Sequence, residues 1–580
     1  MAVTSPNGAP DSSNRVVGRS PPLTGTPHIV GILKHIWTLY TWMAETRFGC
    51  DVLRAVLTMN GTFGKDLEKQ ASEEQQKAEA MDPLAVEPMG AVPAEYLEKG
   101  DSMYAKLARM GSKLKVEVRG IERVPEDERT DTSYWNIGSM WLAANMVVPS
   151  FTIGVLGQAV FDLGFVDAAL VIIFFNLLSV LTVCFFSTFG AAFGLRQMVL
   201  SRFYFGWWGV KLIALFNVLA CIGWASANII VGAQLINAVN NDVPGFAGIL
   251  IIAFCTLVIV FFGYRVVHEY EHWSWIPTFI VFLILLGTFA KSGDFVNVPM
   301  GAGNAELGKV LSYGSTVFGF GTGYTAFAAD YTVYQPSKRS PRKIFLATWL
   351  GILPTLLFTE LLGAYVVTAT ALNGGDNIYQ KGYEQSGIGG LLAAALFPQL
   401  GGFGKFCLII LALSVVANNC PNIYSVSLTL MIMGSWTRHI PRFVWTVVAT
   451  AAYISISIPG YSNFEAVLEN FMHFIGYWLA IYEGVALTEH FVFRRSFAGY
   501  NVEDYDNRDK LPPGIAAVLA FFCGVVGMVT GMSQSWWVGP VALSAGSAPF
   551  GGDLGFELGF AFAAVSYYLF RKIELRIFKR

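Results

Sequence analysis

The sequence is short of charge, and the charge that it has is balanced. Of its 580 residues only 14% are Asp, Glu, Lys or Arg, whereas an ordinary soluble protein has about 25%. The 39 basic and 41 acidic residues leave a formal net charge of −2, so there is no basic excess to attract nucleic acid. The composition argues against a soluble multidomain protein and against a nucleic-acid partner.

Cysteines and nucleotide-binding motifs are also scarce. The seven cysteines are scattered and form no C-x-x-C pair, so neither a disulfide framework nor a zinc site is indicated. Gly404-Lys405 is followed by Phe406, and Gln399 stands where a Walker A motif needs its first glycine, so no phosphate-binding loop is present. We therefore expect no transport driven directly by ATP, no metal and no organic cofactor.

Apolar sequence is abundant. Hydrophobic residues make up 54% of the chain, and the mean hydropathy is +0.50. The predicted class is an all-α polytopic membrane protein with twelve transmembrane helices, since each apolar span downstream of residue 132 is long enough to cross a bilayer. The spans are predicted at 134–157, 164–190, 209–235, 244–263, 270–290, 309–330, 344–373, 403–433, 441–458, 464–490, 511–531 and 549–570.

The basic residues predict the orientation and the domain limits. Eighteen Lys and Arg residues fall on the side that also holds the two termini, and the other side holds only four: Lys291, Lys309, Lys381 and Lys405. By the positive-inside rule both termini are cytoplasmic. We predict a largely disordered cytosolic tail at 1–132, a transmembrane domain at 133–570 and a short cytosolic tail at 571–580. Any cytosolic regulatory or ubiquitin-dependent trafficking factors are expected to act on these tails.

Two spans contain residues that interrupt helices. The first has Pro149, Ser150, Thr152 and Gly154 at mid-depth, and the sixth has four glycines within 314–323. A five-plus-five inverted repeat would place breaks at corresponding positions of these two spans, and transporters bind substrates at such breaks. The alternative is that the glycines only let membrane helices approach closely.

The third span carries an aromatic and an amide on one face. Trp224 and Asn228 are four residues apart, so they are neighbours on a helix surface. An indole face beside a carboxamide suits a flat heterocycle, whose ring can stack while the amide bonds its edge. Alternatively, Trp224 fills the core and Asn228 ties two helices together.

The eighth span has the densest polar group. Asn418, Asn419 and Asn422 lie within five residues, a costly arrangement in hydrocarbon unless the amides face a cavity or a partner. Pro421 removes the N–H that would bond the carbonyl of Ala417. A carboxamide can match the N–H and C=O edge of a nucleobase, so we interpret these residues as substrate contacts. A polar network within the helix bundle is the alternative.

Charged side chains within the spans are few. No Lys or Arg lies at the centre of the first, third, sixth or eighth span, which favours a neutral, planar solute. Glu360 in the seventh span, Glu483 in the tenth and Asp330 at the end of the sixth are candidates for proton coupling, because intramembrane carboxylates commonly relay protons. Each could instead form a structural pair near the interface.

Together these residues resemble the fungal purine-cytosine permeases of the nucleobase-cation-symport-1 family over about 120–575. The matching segments are Glu128-Arg129-Thr130-Asp131, Ser133-Tyr134-Trp135, Ala144-Asn145-Met146, Gly194-Leu195-Arg196-Gln197-Met198, Ser201-Arg202, Gly223-Trp224, Asn228, Ala329-Asp330-Tyr331, Ala417-Asn418-Asn419 and Pro421-Asn422.

The resemblance implies a leucine-transporter-like fold, in which helices 1–5 and 6–10 are inverted repeats and helices 11 and 12 are peripheral. It also implies import of cytosine, adenine, guanine and hypoxanthine by proton symport at the plasma membrane. A stacking aromatic from the sixth helix would be Phe318 or Phe320. The resemblance assigns six positions to the substrate site: Ser150, Trp224, Asn228, Asn418, Pro421 and Asn422. Asn419, next to Asn418, is predicted as a further substrate contact.

The coupling ion and the substrate have alternatives. Sodium-coupled bacterial relatives place paired hydroxyls where this chain has Ala412 and Leu413, which favours protons, although Ser414 lies close by. Related fungal carriers transport pyridoxine (vitamin B6) on the same scaffold, so that substrate is the nearest alternative. A nutrient sensor that binds without transporting is a further one.

Overall fold

The computed structural model describes residues 120–262 and 264–580, and this part of the chain is almost entirely helical. Two short strands, β1 (Ser533–Gln534) and β2 (Trp537–Val538), pair antiparallel. The helices are α1 (Tyr134–Asn145), α2 (Val148–Ala159), α3 (Phe165–Phe193), α4 (Gln197–Leu200), α5 (Arg202–Val239), α6 (Gly245–Phe262), α7 (Tyr264–Ser292), α8 (Gly303–Thr322), α9 (Pro341–Val367), α10 (Ile378–Leu400), α11 (Gly402–Leu430), α12 (Ser435–Arg438), α13 (Arg442–Gly460), α14 (Phe464–Thr488), α15 (Ile515–Gly531), α16 (Pro540–Ser544) and α17 (Gly555–Phe578). Short 3-10 segments occur at Glu126–Glu128, Thr325–Tyr331, Thr368–Gly375, Tyr461–Asn463, Phe497–Gly499 and Val502–Asp504, and a π-helical turn at Glu489–Arg494.

Each predicted span overlaps at least one helix. Among the described residues, seven helices are long and apolar enough to cross a membrane, namely α3, α5, α6, α7, α9 with the 3-10 turn after it, α11 and α13. Helices α1 and α2 make an eighth if they are one span, bent by 49°. The other predicted spans fall on α8, α14, α15 and α17. Length and composition alone therefore support up to eight spans rather than the predicted twelve.

The first span breaks where the sequence predicts. Met146 and Val147 lie outside the helical region between α1 and α2, with ψ angles of 62° and 161°. Pro149 then occupies the first turn of α2, where its missing N–H costs nothing. The break leaves backbone groups without their helical partners, and two side chains of α11 replace them. The N–H of Val148 donates to Ser414 Oγ (3.4 Å), and the carbonyl of Ala144 accepts from Asn418 Nδ2 (2.6 Å).

The sixth span breaks later than predicted. Helix α8 continues through its glycines to Thr322, and the chain then turns at Gly323 and Tyr324 into the 3-10 segment Thr325–Tyr331. The glycines within α8 serve close packing instead. A Cβ added at Gly319 would overlap the carbonyl oxygen of Met472, and one at Gly314 would overlap the ring of Phe175. Close helix packing, the alternative interpretation, is therefore correct for the glycines within α8. Only the last glycine, Gly323, lies at the break.

Helix α10 lies where no span is predicted. Its first half is polar, so the sequence does not mark it as apolar, and it is kinked at Ser386 and Gly387. Asn377 caps its start by accepting from the N–H of Gln380 (2.8 Å), as polar N-cap residues do. The Ser386 hydroxyl donates to Asn237 Oδ1 near the end of α5 (2.9 Å).

The folded part of the chain starts before the predicted boundary at residue 132. Arg129 is buried, and its guanidinium donates to the carbonyls of Ala191 (3.2 Å) and Phe193 (3.0 Å) in the last turn of α3. A cation suits these carbonyls because they have no partner within the helix. Gly194 follows with a φ of +66°, and a Cβ there would overlap Arg129. Residues 120–131 are thus part of the transporter domain, and the predicted disorder of 1–119 falls outside the described residues.

The predicted C-terminal tail is also largely folded. Helix α17 continues to Phe578, and the buried Arg571 pairs with Glu489 (3.2 Å) and Glu574 (2.7 Å). These contacts lie on the same side of the bundle as Arg129. We call this side the basic end, and the side that carries α10 the opposite end.

Candidate functional site

Four buried side chains form a hydrogen-bonded chain where the two breaks meet α5 and α11. Asn228 Nδ2 donates to Asn418 Oδ1 (2.7 Å), and Asn418 Nδ2 donates to the hydroxyl of Tyr324 (2.7 Å). The Tyr324 hydroxyl donates in turn to Asn145 Oδ1 (3.1 Å). We call Asn145, Asn228, Tyr324 and Asn418 the amide hub. It joins the end of α1, the turn after α8, and the middle of α5 and α11.

The hub and its surroundings keep unused hydrogen-bonding capacity. Among the described residues, Asn228 Oδ1 and Ser150 Oγ are buried and have no hydrogen-bond partner. Buried polar atoms are normally paired, so each of these two atoms can still take a partner. A carboxamide oxygen is an acceptor, and a hydroxyl can donate or accept. An N–H group of a guest could pair with Asn228 Oδ1, and a guest carbonyl or ring nitrogen could accept from Ser150 Oγ.

Trp224 lies one helical turn before Asn228 and is almost fully buried. Its ring meets Phe320 at 5.1 Å with an interplanar angle of 79°, and Phe471 at 6.0 Å with an angle of 77°. Both neighbours contact the indole edge-to-face, so neither ring lies flat on it. Of the two predicted stacking aromatics, Phe320 is thus the one beside Trp224.

Phe318, the other predicted aromatic, lies elsewhere. It stacks on Phe556 of α17 at 3.9 Å with an interplanar angle of 11°. This contact joins α8 to the last helix, on a different face of α8 from Phe320.

The remaining asparagines of α11 do not join the hub directly. Asn419 Nδ2 reaches Thr256 Oγ1 on α6 at 3.5 Å. Asn422 Nδ2 donates to the backbone carbonyl of Asn418 (2.9 Å), so it braces the helix at the position of the hub. Pro421 lies between them inside α11 and removes one helical N–H.

Two hub residues are not among the predicted site residues. Tyr324 directly follows the last glycine of the sixth span, at the position where the chain leaves the helix. Asn145 is the last residue of α1. Both positions could have been found by asking which polar side chains border a predicted break.

The predicted coupling carboxylates are all buried and all accept hydrogen bonds. Glu483 accepts from Thr322, whose hydroxyl lies near those of Thr182 (3.2 Å) and Thr325 (3.0 Å). Glu360 accepts from Asn176 Nδ2 (2.7 Å). 

Asp330 lies nearer the basic end, at the end of the 3-10 segment. Its carboxylate accepts from the N–H of Gln197 (2.7 Å), and its backbone carbonyl accepts from Arg196 Nη1 (2.7 Å). These bonds hold the segment after α8 against the α3–α4 connection. Within the described ranges, no group of three or more His, Cys, Asp or Glu side chains is arranged to hold a metal ion.

Two cavities lie on either side of the hub, and neither is lined by a hub residue. The basic-end cavity, of about 550 Å³, lies between 130–139 and the first turns of α7. Burial raises the pKa of Asp131 in its wall, and hydrogen bonds from Ser133 and Asn136 oppose that shift. The opposite-end cavity, of about 630 Å³, lies between the end of α2, the end of α9 and the start of α10.

The fold and the site define a polytopic membrane protein with a central polar site at two helix breaks, and comparison with known proteins agrees. Residues 123–539 match the family model described as permease for cytosine/purines, uracil, thiamine, allantoin. The chain belongs to this family of permeases. Among solved structures, the nucleobase-cation-symport-1 transporter Mhp1, in a closed conformation with bromovinylhydantoin bound, superposes with a TM-score of 0.60. It is 14% identical, covering 79% of this chain and 96% of Mhp1, so it supports the fold alone.

Three curated relatives cover most of the chain. The purine-cytosine permease fcyB of Emericella nidulans is 61% identical over 90% of this chain and 100% of its own length. The purine-cytosine permease FCY2 of Saccharomyces cerevisiae is 46% identical over 80% of this chain and 88% of its own. The vitamin B6 transporter TPN1 of the same yeast is 30% identical, covering 82% and 90%.

Proposed function

We propose that this protein imports cytosine and the purines adenine, guanine and hypoxanthine across the plasma membrane by proton symport. The observation that carries the proposal is the amide hub beside Trp224, with Asn228 Oδ1 unpaired. The names of the more similar relatives, purine-cytosine permeases at 61% and 46% identity, point to the same substrates.

The hub suits a nucleobase by its chemistry. The unpaired Asn228 Oδ1 can accept a ring or exocyclic N–H, while Ser150 Oγ can donate to a ring nitrogen or carbonyl. The indole of Trp224 offers a flat apolar surface for the heterocycle. Because Asn228 and Asn418 bond each other here, a bound base would compete for that bond. No charge is needed in such a site, in keeping with an uncharged guest.

The proposed mechanism is alternating access with the basic end in the cytosol. We propose twelve spans, with α1 and α2 counted as one. Helices α1 to α7 would form the first five-span repeat, α8 to α14 the second, and α15 and α17 the peripheral pair. A base would enter through the opposite-end cavity and leave through the basic-end cavity. Coupling requires that base and proton bind the two states with different affinities.

The test is uptake of labelled cytosine by cells that lack their own nucleobase permease. We expect saturable uptake that rises as the external pH falls and is competed by adenine, guanine and hypoxanthine. Competition by pyridoxine instead would favour the vitamin B6 alternative suggested by TPN1. Binding without uptake would favour a sensor, and a correctly located protein with neither would contradict the proposal.

A matched pair of variants tests the hub itself. Asn228→Ala should abolish or strongly weaken cytosine uptake. Asn217→Ala is the control, because Asn217 lies on the same helix and bonds Ser425 (3.1 Å) and Thr429 (2.9 Å) of α11 without touching the hub. The control should lower the amount of folded protein but leave the apparent KM of that protein unchanged. Equal effects on KM would argue against the hub as the binding site.

A further inference from the structure

Glu271 differs from the buried carboxyls Glu360 and Glu483 in its hydrogen bonding. Glu271 lies two turns into α7 and has no exposed surface. Among the described residues, neither of its carboxyl oxygens has a hydrogen-bond partner. Glu360 and Glu483, in contrast, each accept from a neighbouring side chain.

Among the described residues, the groups recorded as interacting with Glu271 are tyrosines and a cysteine, and Arg196 acts on His268 one turn away. Tyr324 and Tyr331 from the segment after α8, Cys420 from α11 and Tyr270 from α7 itself lie within its electrostatic range. His268, one turn earlier on α7, meets the ring of Tyr331 at 6.1 Å. An ionised carboxylate in a dry site without a donor or a cation is strongly disfavoured, so the neutral acid is the form that this conformation accommodates.

The basic-end cavity comes within one helical turn of this carboxyl. His268, Glu269 and His272 of α7 form one wall of the cavity, and residues 130–139 form the other. Glu271 lies among these wall residues in sequence but faces the bundle. A separation of the first turns of α7 from α1 would therefore extend the cavity to Glu271 and bring water to it.

Helix α7 has a built-in point at which its first turns could pivot. Pro277 lies inside the helix and cannot donate to the carbonyl of Trp273, so the helical ladder is interrupted there. The segment that bears Glu271 and the cavity wall lies on the N-terminal side of this interruption.

We propose that Glu271 carries the coupled proton and releases it at the basic end when the first turns of α7 swing away from α1. In that step the O–H bond breaks, the proton passes to a water molecule of the enlarged cavity, and the carboxylate stays hydrated. Once α7 has returned and the opposite end is open, a hydronium ion from that side protonates the carboxylate again, which reforms the O–H bond and releases water, so that each cycle carries one proton inward. Tyr324 belongs to the amide hub and lies close to Glu271, so the base and the proton can each influence the other's binding. The inference rests on the proposed nucleobase transport and names the group that holds its coupling ion.

The test uses the full chain reconstituted in liposomes, with labelled cytosine, an acid-outside pH gradient and a pH-sensitive dye inside. The wild type should accumulate cytosine and carry protons inward with it. Glu271→Gln mimics the neutral acid, so cytosine exchange should persist while the accumulation ratio falls to one and the proton signal disappears. Glu503→Gln is the control, since Glu503 is an exposed glutamate that pairs with Arg123 and lines neither cavity, and it should accumulate cytosine like the wild type.

Every other result either supports or contradicts the assignment of the coupled proton to Glu271. Wild-type accumulation by Glu271→Gln would overturn the assignment. If the wild type moves cytosine without protons, the inference fails and transport stands; if it moves no nucleobase, the proposed function itself fails. Should Glu271→Gln not fold, Glu271→Asp supplies the test, because its carboxyl should keep the accumulation ratio above one. A ratio of one with normal exchange in Glu271→Asp would contradict the inference, as would absence of a protonated-carboxyl infrared band in the purified wild type at neutral pH.

Discussion

Asn418 uses one carboxamide to connect three segments of the chain. Its two N–H groups bond the carbonyl of Ala144 at the first break and the hydroxyl of Tyr324 at the second, and its oxygen accepts from Asn228 on α5. A guest that takes over one of these bonds changes what holds the two helix breaks together. The residue therefore suits a site in which binding and rearrangement are linked.

The first prediction concerns Tyr324→Phe. The change removes the hydroxyl that Asn418 and Asn145 share, so a buried donor and a buried acceptor lose their partner. The hub should loosen, and the apparent KM for cytosine should rise about tenfold, equivalent to roughly 1.4 kcal/mol. Uptake kinetics at equal surface expression measure the effect.

Tyr313→Phe is the control for this change. Tyr313 lies on α8 and is equally buried, and its hydroxyl donates to the carbonyl of Ile153 (3.1 Å) away from the hub. This variant should lower the melting temperature slightly and leave KM unchanged. If both variants raised KM alike, the effect would belong to α8 as a whole rather than to the hub.

Some site residues follow from sequence and others do not. Asn228 and Asn418 are predictable because an amide at bilayer depth needs a partner or a cavity. Phe318 and Phe320 are both aromatic and only two residues apart, so the sequence cannot tell which faces Trp224. That depends on the exact rotation of α8, which packing against Phe556 determines.

At the scale of elements, α2 and α9 meet backbone to backbone. A Cβ on Gly154 of α2 would overlap the carbonyl oxygen of Glu360 on α9, and one on Gly363 of α9 would overlap that of Phe151 on α2. Reciprocal glycines of this kind let two helices approach more closely than larger residues allow. The contact fixes α2, the second half of the broken span, against α9.

The second prediction is that Gly154→Ala forces these helices apart. The added methyl group meets backbone, which cannot move aside as a side chain can, so the variant should lose about 3 kcal/mol of stability. Thermal unfolding of the purified protein and the amount at the cell surface measure the loss.

Gly287→Ala provides the comparison within another helix. Gly287 lies in α7, and a Cβ there would have no heavy atom within 4 Å. Because alanine favours the helix more than glycine does, this variant should unfold at the wild-type temperature or slightly above it. An equal loss of stability in Gly154→Ala and Gly287→Ala would show that Gly154 matters for a reason other than the close approach of α2 to α9.

A helix break can be predicted from sequence when the residue that marks it has only one effect on a helix. Pro149 with its polar neighbours marks the first break correctly, because proline in a helix interior costs a hydrogen bond. Glycine is ambiguous, since it permits either a break or close packing, and α8 mostly uses it for packing. Helix α10 is missed because the polar residues of its first half hide it from a search for apolar spans. The ordered 120–131 depends on Arg129 reaching α3, a long-range contact that no local pattern reveals.

At the scale of the whole molecule, the charges separate the two ends of the bundle. The basic end collects Arg129, Arg202, Arg438 and Arg571 in buried or partly buried ion pairs and carbonyl contacts. The opposite end has exposed pairs, such as Lys381 with Asp376 (2.6 Å). By the positive-inside rule, such an asymmetry predicts that the basic end is the cytosolic one.

The third prediction tests this orientation with two matched cysteines. Lys381 at the opposite end and Lys510 at the basic end are both well exposed, at 68% and 60% of their side-chain surface, and each pairs with one aspartate. Surface pairs of this kind contribute little stability, so Lys381→Cys and Lys510→Cys should fold and transport normally. A membrane-impermeant thiol reagent should label Lys381→Cys in intact cells but label Lys510→Cys only after permeabilisation.

The unmodified protein sets the background, since the six described cysteines are buried or only partly exposed. Labelling of Lys510→Cys in intact cells, with Lys381→Cys protected, would reverse the assigned direction and turn the proposed import pathway into an export pathway.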